Sequence, residues 1–537
     1  MDFDICSKII SRLIQWGVQE FYVCAGARNL PLIEVLSQLK NFDVFCHFEE
    51  RSAGFYALGR IKSLKSPVAV VVTSGTAVGE LMPSVMEAFY SGLPLVVLSA
   101  DRPRHYRGSG APQSAEQKNI FGIYVSACLD IEGNENFDFF SFPKNKPVHI
   151  NVCLSAPVLS DRQIDFSTFS AAKEILASST QLFPRQKDLT AFINFLKSSE
   201  NLLVLVSQIH LYEKKSVTQF LLNLGVPVYL EATSNIRELE ELEHLKIYSP
   251  DYILENAGKS EFQITSILKI GGTPTHKLWR DVCEKKMNIQ VFSISSYRFA
   301  GMPGIIHIET HLNLFFEEFF SRKICYKNKK NMKKFLEKDK EKYEKIKNLF
   351  LKYPNSEQSF VRFISNKVTN NSRVYLGNSL SIRNWDMAAS YLNKNLYIEA
   401  SRGLNGIDGQ VSTFLGFACE SQHNWALLGD LTVLYDLAGL WALKYREKLK
   451  LSLVVINNSG GKIFGRILSG KISAYCENNH QLNFQKWAQM WGLSSSFFDN
   501  IKTFHDFFEK NHPSQQLLEV TPNSLETQHF MKDYLSL

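Results

Sequence analysis

Leu427-Leu428-Gly429-Asp430 closes one apolar run of this 537-residue chain, and Ile456-Asn457-Asn458-Ser459-Gly460-Gly461 closes the next, with 28 residues from Asp430 to Asn458. The runs themselves, Trp425–Leu428 and Leu451–Ile456, are short and continuously apolar, the pattern of strands buried on both faces of a parallel sheet. A helical crossover is expected between them. In an open parallel sheet ligands bind beyond the carboxyl ends of the strands, so both polar termini are expected at one crevice. A carboxylate from Asp430, an amide oxygen from Asn458 and a backbone carbonyl are hard donors suited to Mg²⁺, with phosphate oxygens completing the octahedron. The flanking glycines let backbone approach a diphosphate closely. Taken singly, a Gly-Asp strand end or an Asn-Asn turn is common; the weight lies in their joint placement.

The same alternation of β-rich runs and helical patterns extends along the whole chain, which points to an α/β protein of doubly wound parallel sheets. In the first third the expected strands are Val68–Thr73, Leu95–Ala100 and Val148–Val152, with helices over Ser52–Ser63 and Gly79–Ser91. The middle third offers Leu202–Ser207, Val226–Leu230, Ile264–Ile270 and Ile289–Ile294. The last adds Arg373–Leu376, Leu396–Glu399 and Gln516–Val520 to the two runs above. Polar composition around Ser178–Lys187 and a lysine-rich stretch ending near Tyr353-Pro354-Asn355 mark two boundaries. Three domains are therefore expected, over 1–182, 183–350 and 351–537, and the length suits that number. No strict sequence repeat relates them.

Composition excludes several classes. Hydrophobic residues make up 45% and charged residues 21%, which rules out a disordered chain. The longest apolar stretch, Trp425–Tyr445, is broken by Asp430 and Asp436, which speaks against a membrane span. Asp2 and Asp4 stand where a secretory signal would need positive charge. Nine dispersed cysteines without a Cys-x-x-Cys pair read as reduced thiols in cytoplasm. The net charge of +7 is local: Arg322–Lys352 alone holds 13 Lys or Arg against 4 Asp or Glu, an excess larger than that of the whole chain. Its interleaved signs read as a solvated basic linker helix rather than a nucleic-acid patch.

A second chemical candidate is Phe48-Glu49-Glu50-Arg51-Ser52-Ala53-Gly54, which joins a strand to a helix. Acids at a helix start are favoured by the macrodipole, and that accounts for Glu49 and Glu50 without any function. Together with Asp430 and Asn458, however, the junction resembles that of thiamine-diphosphate enzymes, and further blocks narrow the resemblance. Glu50-Arg51-Ser52-Ala53-Gly54-Phe55, Thr73-Ser74-Gly75-Thr76-Ala77, Ser99-Ala100-Asp101-Arg102-Pro103, Arg402-Gly403-Leu404-Asn405-Gly406-Ile407-Asp408-Gly409, Gly429–Asp436 and Asn457-Asn458-Ser459-Gly460-Gly461-Lys462-Ile463-Phe464 are similar to successive blocks of one family. That family is 2-succinyl-5-enolpyruvyl-6-hydroxy-3-cyclohexene-1-carboxylate synthase, and the similarity runs from about residue 20 to 465.

The resemblance implies three domains of the thiamine-diphosphate enzyme type (pyrimidine-binding, central and diphosphate-binding) and a place in menaquinone biosynthesis. It implies thiamine diphosphate with Mg²⁺ or Mn²⁺, decarboxylation of 2-oxoglutarate, and 1,4-addition of the resulting carbanion to isochorismate. Glu50 would bond a ring nitrogen of the aminopyrimidine and exchange a proton with it. Asp430, Asn458 and Gly460 would hold the metal. Thr76, Ser379, Gly429, Leu431 and Thr432 would line the cofactor, Ile407 would bend it, and Ile463 and Phe464 would wall its thiazolium. Both substrates are dicarboxylates, and planar guanidiniums bind carboxylates bidentately. Arg28, Arg102, Arg383, Arg402 and Lys277 would be the clamps, with Gln113 and Arg402 beside the reacting centre. The family also implies a homodimer or homotetramer, with cofactor held between the N-terminal domain of one subunit and the C-terminal domain of another.

Three positions depart from the family pattern: Ala27 lacks a serine hydroxyl, Pro112 replaces an amide, and Leu278 follows Lys277 where some members have arginine. All three bear on substrate recognition. The alternative activity is therefore another thiamine-dependent 2-oxo acid decarboxylase or carboligase with a different acceptor. A retained non-catalytic scaffold gives no reason for Glu50, and a nucleotide-dependent dehydrogenase lacks its Gly-x-Gly-x-x-Gly after an early strand.

Overall fold

The computed structural model describes residues 2–138, 141–155, 158–160, 162–164, 183–256, 263–277, 281–282, 289–302, 304–322, 332–466, 468, 470–510 and 513–537. Leu278, residues 178–182 of the expected 178–187 boundary and residues 323–331 of the basic segment lie outside them. Two compact units result, one of Met1–Thr180, Gly403–Glu420 and Thr432–Lys448, the other of Gln181–Arg402, Ser421–Leu431 and Leu449–Leu537.

Three six-stranded sheets carry the architecture, and every pairing among the described strands is parallel. The first contains β1 Glu20–Cys24, β2 Asp43–His47, β3 Val68–Val72, β4 Leu95–Asp101, β5 Cys128–Glu132 and β6 Val148–Cys153, in the order β2-β1-β3-β4-β6-β5. The second contains β7 Leu202–Val206, β8 Val228–Leu230, β9 Lys246–Ile247, β10 Ser266–Ile270, β11 Gln290–Ser295 and β12 Ile306–Glu309, in the order β12-β11-β10-β7-β8-β9. The third contains β13 Arg373–Leu376, β14 Tyr397–Glu399, β15 His423–Gly429, β16 Lys450–Ile456, β17 Ser494–Phe498 and β18 Gln515–Val520, in the order β14-β13-β15-β16-β18-β17. The first and third sheets thus share one winding, a structural repeat without a sequence repeat.

Strand order reverses between β1 and β3 in the first sheet and between β13 and β15 in the third, and such switch points open crevices at the strands' carboxyl ends. Gly377-Asn378-Ser379 follows β13 and Asp430 follows β15, so the third switch point gathers them. The second sheet has the order of dinucleotide-binding folds, with its switch between β7 and β10. There the backbone closes on itself: Gly272 N donates to Gln208 O at 2.7 Å, and a Cβ on Gly271 would lie 2.4 Å from that carbonyl.

The core strands β1, β3, β4, β7 and β10 are buried along their full length. The helix expected over Gly79–Ser91 is two, Thr76–Gly79 and Met82–Ser91, because Pro83 lacks the N–H to continue a helix and starts a new one instead. Between β15 and β16 the crossover is only the short helix Asp430–Leu434 and a 3₁₀ segment Gly439–Tyr445. The basic segment is also corrected. Helix Met332–Lys352 buries Phe335, Asp339, Tyr343, Ile346 and Leu349 along one face, so it is an amphipathic docking helix and not a freely solvated linker. Asp339 secures it by accepting Tyr248 N at 2.7 Å and Ser249 N at 3.0 Å. No described helix is long and apolar enough to cross a membrane, and none of the seven described cysteines is in a disulfide.

In the first unit, helix Glu50–Leu64 packs on helix Gln410–Phe417 through facing glycines. A Cβ on Gly59 would lie 2.1 Å from Thr413 O, and one on Gly416 would lie 2.2 Å from Tyr56 O. Only hydrogen fits at either position. Gly416→Ala should therefore destabilise the protein by about 2–3 kcal/mol, the cost of overpacking a rigid contact. Gly79→Ala, whose Cβ would meet nothing within 4 Å, should leave the thermal midpoint unchanged or slightly raised; equal midpoints for the two variants would contradict this packing.

Candidate active site

In the first unit, Glu49 and Glu50 have separate roles. Glu49 is the N-cap of helix Glu50–Leu64, its carboxylate accepting Arg51 N at 3.1 Å and Ser52 N at 2.9 Å. Glu50 is half-buried, and burial pushes its carboxyl above the ordinary range, reinforced by the negative charges of Glu49 and Glu80 and opposed by a backbone hydrogen bond. Burial thus favours the protonated form of this carboxyl over that of an exposed glutamate. Its helix is pinned by Asp436, which accepts Ser52 Oγ at 3.0 Å, Ser412 N at 2.7 Å and Ser412 Oγ at 3.0 Å, and is pushed up to about 6 by burial.

Beyond β3, Gly75 turns with φ +88° and donates its N–H to Gln117 Oε1 at 2.7 Å, presenting Thr76 exposed at the start of a short helix. A Cβ on Gly75 would touch Gln113 at 3.3 Å, so Thr76 and Gln113 lie on adjoining turns. Gln113 is exposed with φ +56°, a left-handed conformation that an ordinary side chain adopts at a cost. Arg102 donates Nε and Nη2 to Pro112 O at 2.9 and 2.7 Å, so the residue that departs from the family pattern also fixes an expected clamp. Arg28 donates to Leu154 O and Ser155 O at 3.1 and 2.7 Å, and its guanidinium is pushed down by burial and then by the charge of Arg102. Two cations that repel one another favour an anion between them. On the far segment of this unit, Glu87 accepts Gly403 N at 2.9 Å and Leu404 N at 2.8 Å, and Gly409 packs so tightly on Phe55 that a Cβ would lie 1.9 Å from its ring. Ile407 sits half-buried between these two anchors, and Thr432 is buried in the same unit.

In the second unit, register pairs Gly429 with Ile456, so Asp430 and Asn457-Asn458 leave adjacent strands side by side. Asp430 is buried; its Oδ1 accepts Leu431 N at 2.6 Å and its Oδ2 accepts Gly460 N at 2.8 Å, with His480 Nε2 3.3 Å away. Burial raises its carboxyl above the usual range, the condition a cation would relieve. The two asparagines divide their work. Asn457 is structural, donating to Glu519 Oε1 at 2.7 Å and Leu482 O at 2.8 Å. Asn458 donates Nδ2 to Glu357 Oε2 at 3.0 Å, while its buried Oδ1 accepts no hydrogen bond. A buried acceptor without a donor is costly. Such an oxygen, on the turn that Asp430 grips, fits a divalent cation of oxygen preference. Ser459 at φ +63° and Gly460 at φ +129° form the turn, and a Cβ on Gly460 would lie 2.4 Å from Glu477 O. Ile463, half-buried, and Phe464, exposed, follow it.

The switch point of the third sheet brings further expected residues together. Ser379, at φ +66°, heads helix Leu380–Ala388, and Arg383 Nη1 donates back to its carbonyl at 2.6 Å. Arg402 is buried and donates to Asn378 Oδ1 at 3.0 Å and Pro274 O at 3.1 Å. Pro274 belongs to the loop of Lys277, which buried Glu231 holds by accepting Thr275 N at 2.7 Å and His276 N at 2.8 Å. Lys277 itself is exposed, with Nζ 3.5 Å from Asp251 Oδ1. Glu87, Glu231 and Glu357 were not legible as site residues. Their only sequence signal is an acid inside or at the start of a helix or after a strand, which ordinarily means a solvated charge.

Against known proteins, residues 5–120 match the model of the thiamine pyrophosphate enzyme N-terminal TPP binding domain. A relative from Bdellovibrio bacteriovorus, named 2-succinyl-5-enolpyruvyl-6-hydroxy-3-cyclohexene-1-carboxylate synthase, is 40% identical over 99% of this chain and 98% of its own. One of the same name from Akkermansia muciniphila is 34% identical over 97% and 96%. Among solved structures, benzoylformate decarboxylase from Polynucleobacter necessarius superimposes with a TM-score of 0.69 over 97% of this chain and 98% of that one at 14% identity, a likeness of fold alone.

The anchoring of the 403–409 loop is directly measurable. Glu87→Ala should raise amide hydrogen exchange at Gly403 and Leu404 by about tenfold or more, since each loses its buried acceptor. Amides of β3 and β4 should be unaffected; unchanged exchange at Gly403 and Leu404 would remove Glu87 from the site.

Proposed function

This chain belongs to the 2-succinyl-5-enolpyruvyl-6-hydroxy-3-cyclohexene-1-carboxylate synthase family, and from that premise we propose that it joins 2-oxoglutarate, with loss of CO₂, to isochorismate. The observation that carries the reading is that a chain matched end to end by that family sets the hard oxygens of Asp430 and Asn458 at one gripped turn and holds the guanidiniums of Arg28 and Arg102 on backbone carbonyls, close enough for the charge of one to be felt by the other. When bound, thiamine diphosphate supplies the electron sink that makes 2-oxo acid decarboxylation and carbon–carbon bond formation accessible.

The protein's share is to hold, orient and move protons. Asp430, Asn458 and the carbonyl of Gly460 hold Mg²⁺ or Mn²⁺, and Gly429, Leu431, Thr432, Thr76 and Ser379 line the coenzyme. Glu50, whose carboxyl is raised by burial, would exchange a proton with a ring nitrogen of the aminopyrimidine. Arg28, Arg102, Arg383, Arg402 and Lys277 receive the carboxylates of the two substrates, each guanidinium already oriented by a carbonyl or amide acceptor. Ile407 would bend the coenzyme, Ile463 and Phe464 would wall its thiazolium, and Gln113 and Arg402 would act at the reacting centre. The assembly is a homodimer or homotetramer in the reducing cytoplasm, where cysteines outside disulfides are expected. The chain divides near residues 182 and 350.

With thiamine diphosphate, Mg²⁺ and 2-oxoglutarate present, isochorismate should be consumed in step with CO₂ release. Glu50→Gln should lower kcat by about 10²–10⁴, the usual worth of a positioned acid–base group. Turnover of another 2-oxo acid without isochorismate consumption would favour a decarboxylase or carboligase of different acceptor. A fully active Glu50→Gln protein would remove Glu50 from the chemistry.

A further inference from the structure

Glu357 opens helix Glu357–Lys367 directly after its N-cap, Ser356, whose hydroxyl accepts Ser359 N at 3.2 Å. An acid in the first turn normally serves the helix dipole from solvent. This one is buried, 3% exposed, and reaches sideways between two amides. Its Oε1 accepts Asn384 Nδ2 at 2.6 Å and its Oε2 accepts Asn458 Nδ2 at 3.0 Å.

An ionised carboxylate accepts hydrogen bonds and donates none. Any amide beside it must therefore offer its NH₂ and turn its oxygen away. The two ends of an asparagine side chain are nearly the same size, so packing alone hardly distinguishes them; the hydrogen-bond partner chooses. At Asn458 the choice matters, because the oxygen turned away from Glu357 is buried and accepts no hydrogen bond. An NH₂ in that position would repel a cation that the oxygen would bind.

We propose that Glu357 is a positioning residue for the divalent-cation site: its carboxylate fixes the amide of Asn458 oxygen-first toward the metal held with Asp430. This rests on the cation site proposed above and assigns it a residue that does not touch the metal. Partners that orient metal ligands commonly change affinity by about 10–100-fold when removed. Glu357 differs from a simple structural anchor in that its effect depends on which end of its neighbour faces the ion.

That dependence gives a test in the full-length protein, read by Mn²⁺ binding through electron paramagnetic resonance in the presence of saturating thiamine diphosphate. Glu357→Gln should weaken Mn²⁺ by about 10–100-fold, with the lost occupancy recovered at high Mn²⁺ and a melting midpoint close to that of the unsubstituted protein. In the double variant Glu357→Gln/Asn458→Asp, the glutamine can donate to the new carboxylate, which presents an oxygen whichever way it turns. Affinity should return to within about threefold of the original. Asn384→Ala leaves the Asn458 contact intact and should not weaken the metal, which separates packing from orientation should Glu357→Gln prove unstable. Unweakened binding in Glu357→Gln, no recovery in the double variant, or weakening in Asn384→Ala equal to that of Glu357→Gln would each overturn the proposal. Absence of Mn²⁺ binding by the unsubstituted protein would instead reject the cation site itself.

Discussion

Asp430 accepts the N–H of Leu431 at 2.6 Å and that of Gly460 at 2.8 Å, and through this pair one buried carboxylate ties the end of β15 to the turn that follows β16. Parallel pairing alone brings the two strand ends to the same edge; it does not fix the turn beyond. Fixing it takes the carboxylate and the glycine together. Gly460 adopts φ +129° against Glu477 O, a place no side chain can occupy. With the turn held, Asn457 is directed to Glu519 and Asn458 to Glu357, so that one amide secures the fold and the other keeps a free oxygen.

The same device recurs at three other loops and helix starts near the site. Glu87 grips Gly403 and Leu404, Glu231 grips Thr275 and His276, and Glu49 grips Arg51 and Ser52. A carboxylate offers two oxygens in a rigid plane, so it can satisfy two successive amides at once and hold a loop more firmly than a neutral acceptor. Burying it is costly, which is visible in the raised carboxyls of Glu231, Asp430 and Asp436. These loops carry the residues expected to meet charged substrates, where small displacements are expensive for catalysis. Rigidity there offsets what burial costs.

Sequence pattern revealed several central strands through complete burial, although β1 Glu20–Cys24, buried along its full length, is not among the expected strands. Val68–Val72 and Leu202–Val206 are unbroken apolar runs because both faces of a central parallel strand are covered. Two edge strands escaped for the converse reason: β17 begins Ser494-Ser495-Ser496 and β5 carries Asp130 and Glu132, since one side of an edge needs no apolar partner. The common winding of the first and third sheets left no trace in residue identities, because winding depends on apolar periodicity and not on particular side chains. Asp430, Asn458 and Glu50 stood out through motif spacing. Glu357 and Glu231 did not, because their burial arises only when distant segments fold over them.

Coupling between the cation and the coenzyme tests this account most directly. Thiamine diphosphate should bind the metal-stripped protein weakly and gain at least about tenfold in affinity when Mg²⁺ is restored, with that gain abolished in Asp430→Ala, followed by calorimetric titration. Affinity for thiamine diphosphate that is the same with and without Mg²⁺, and the same again in Asp430→Ala, would contradict it.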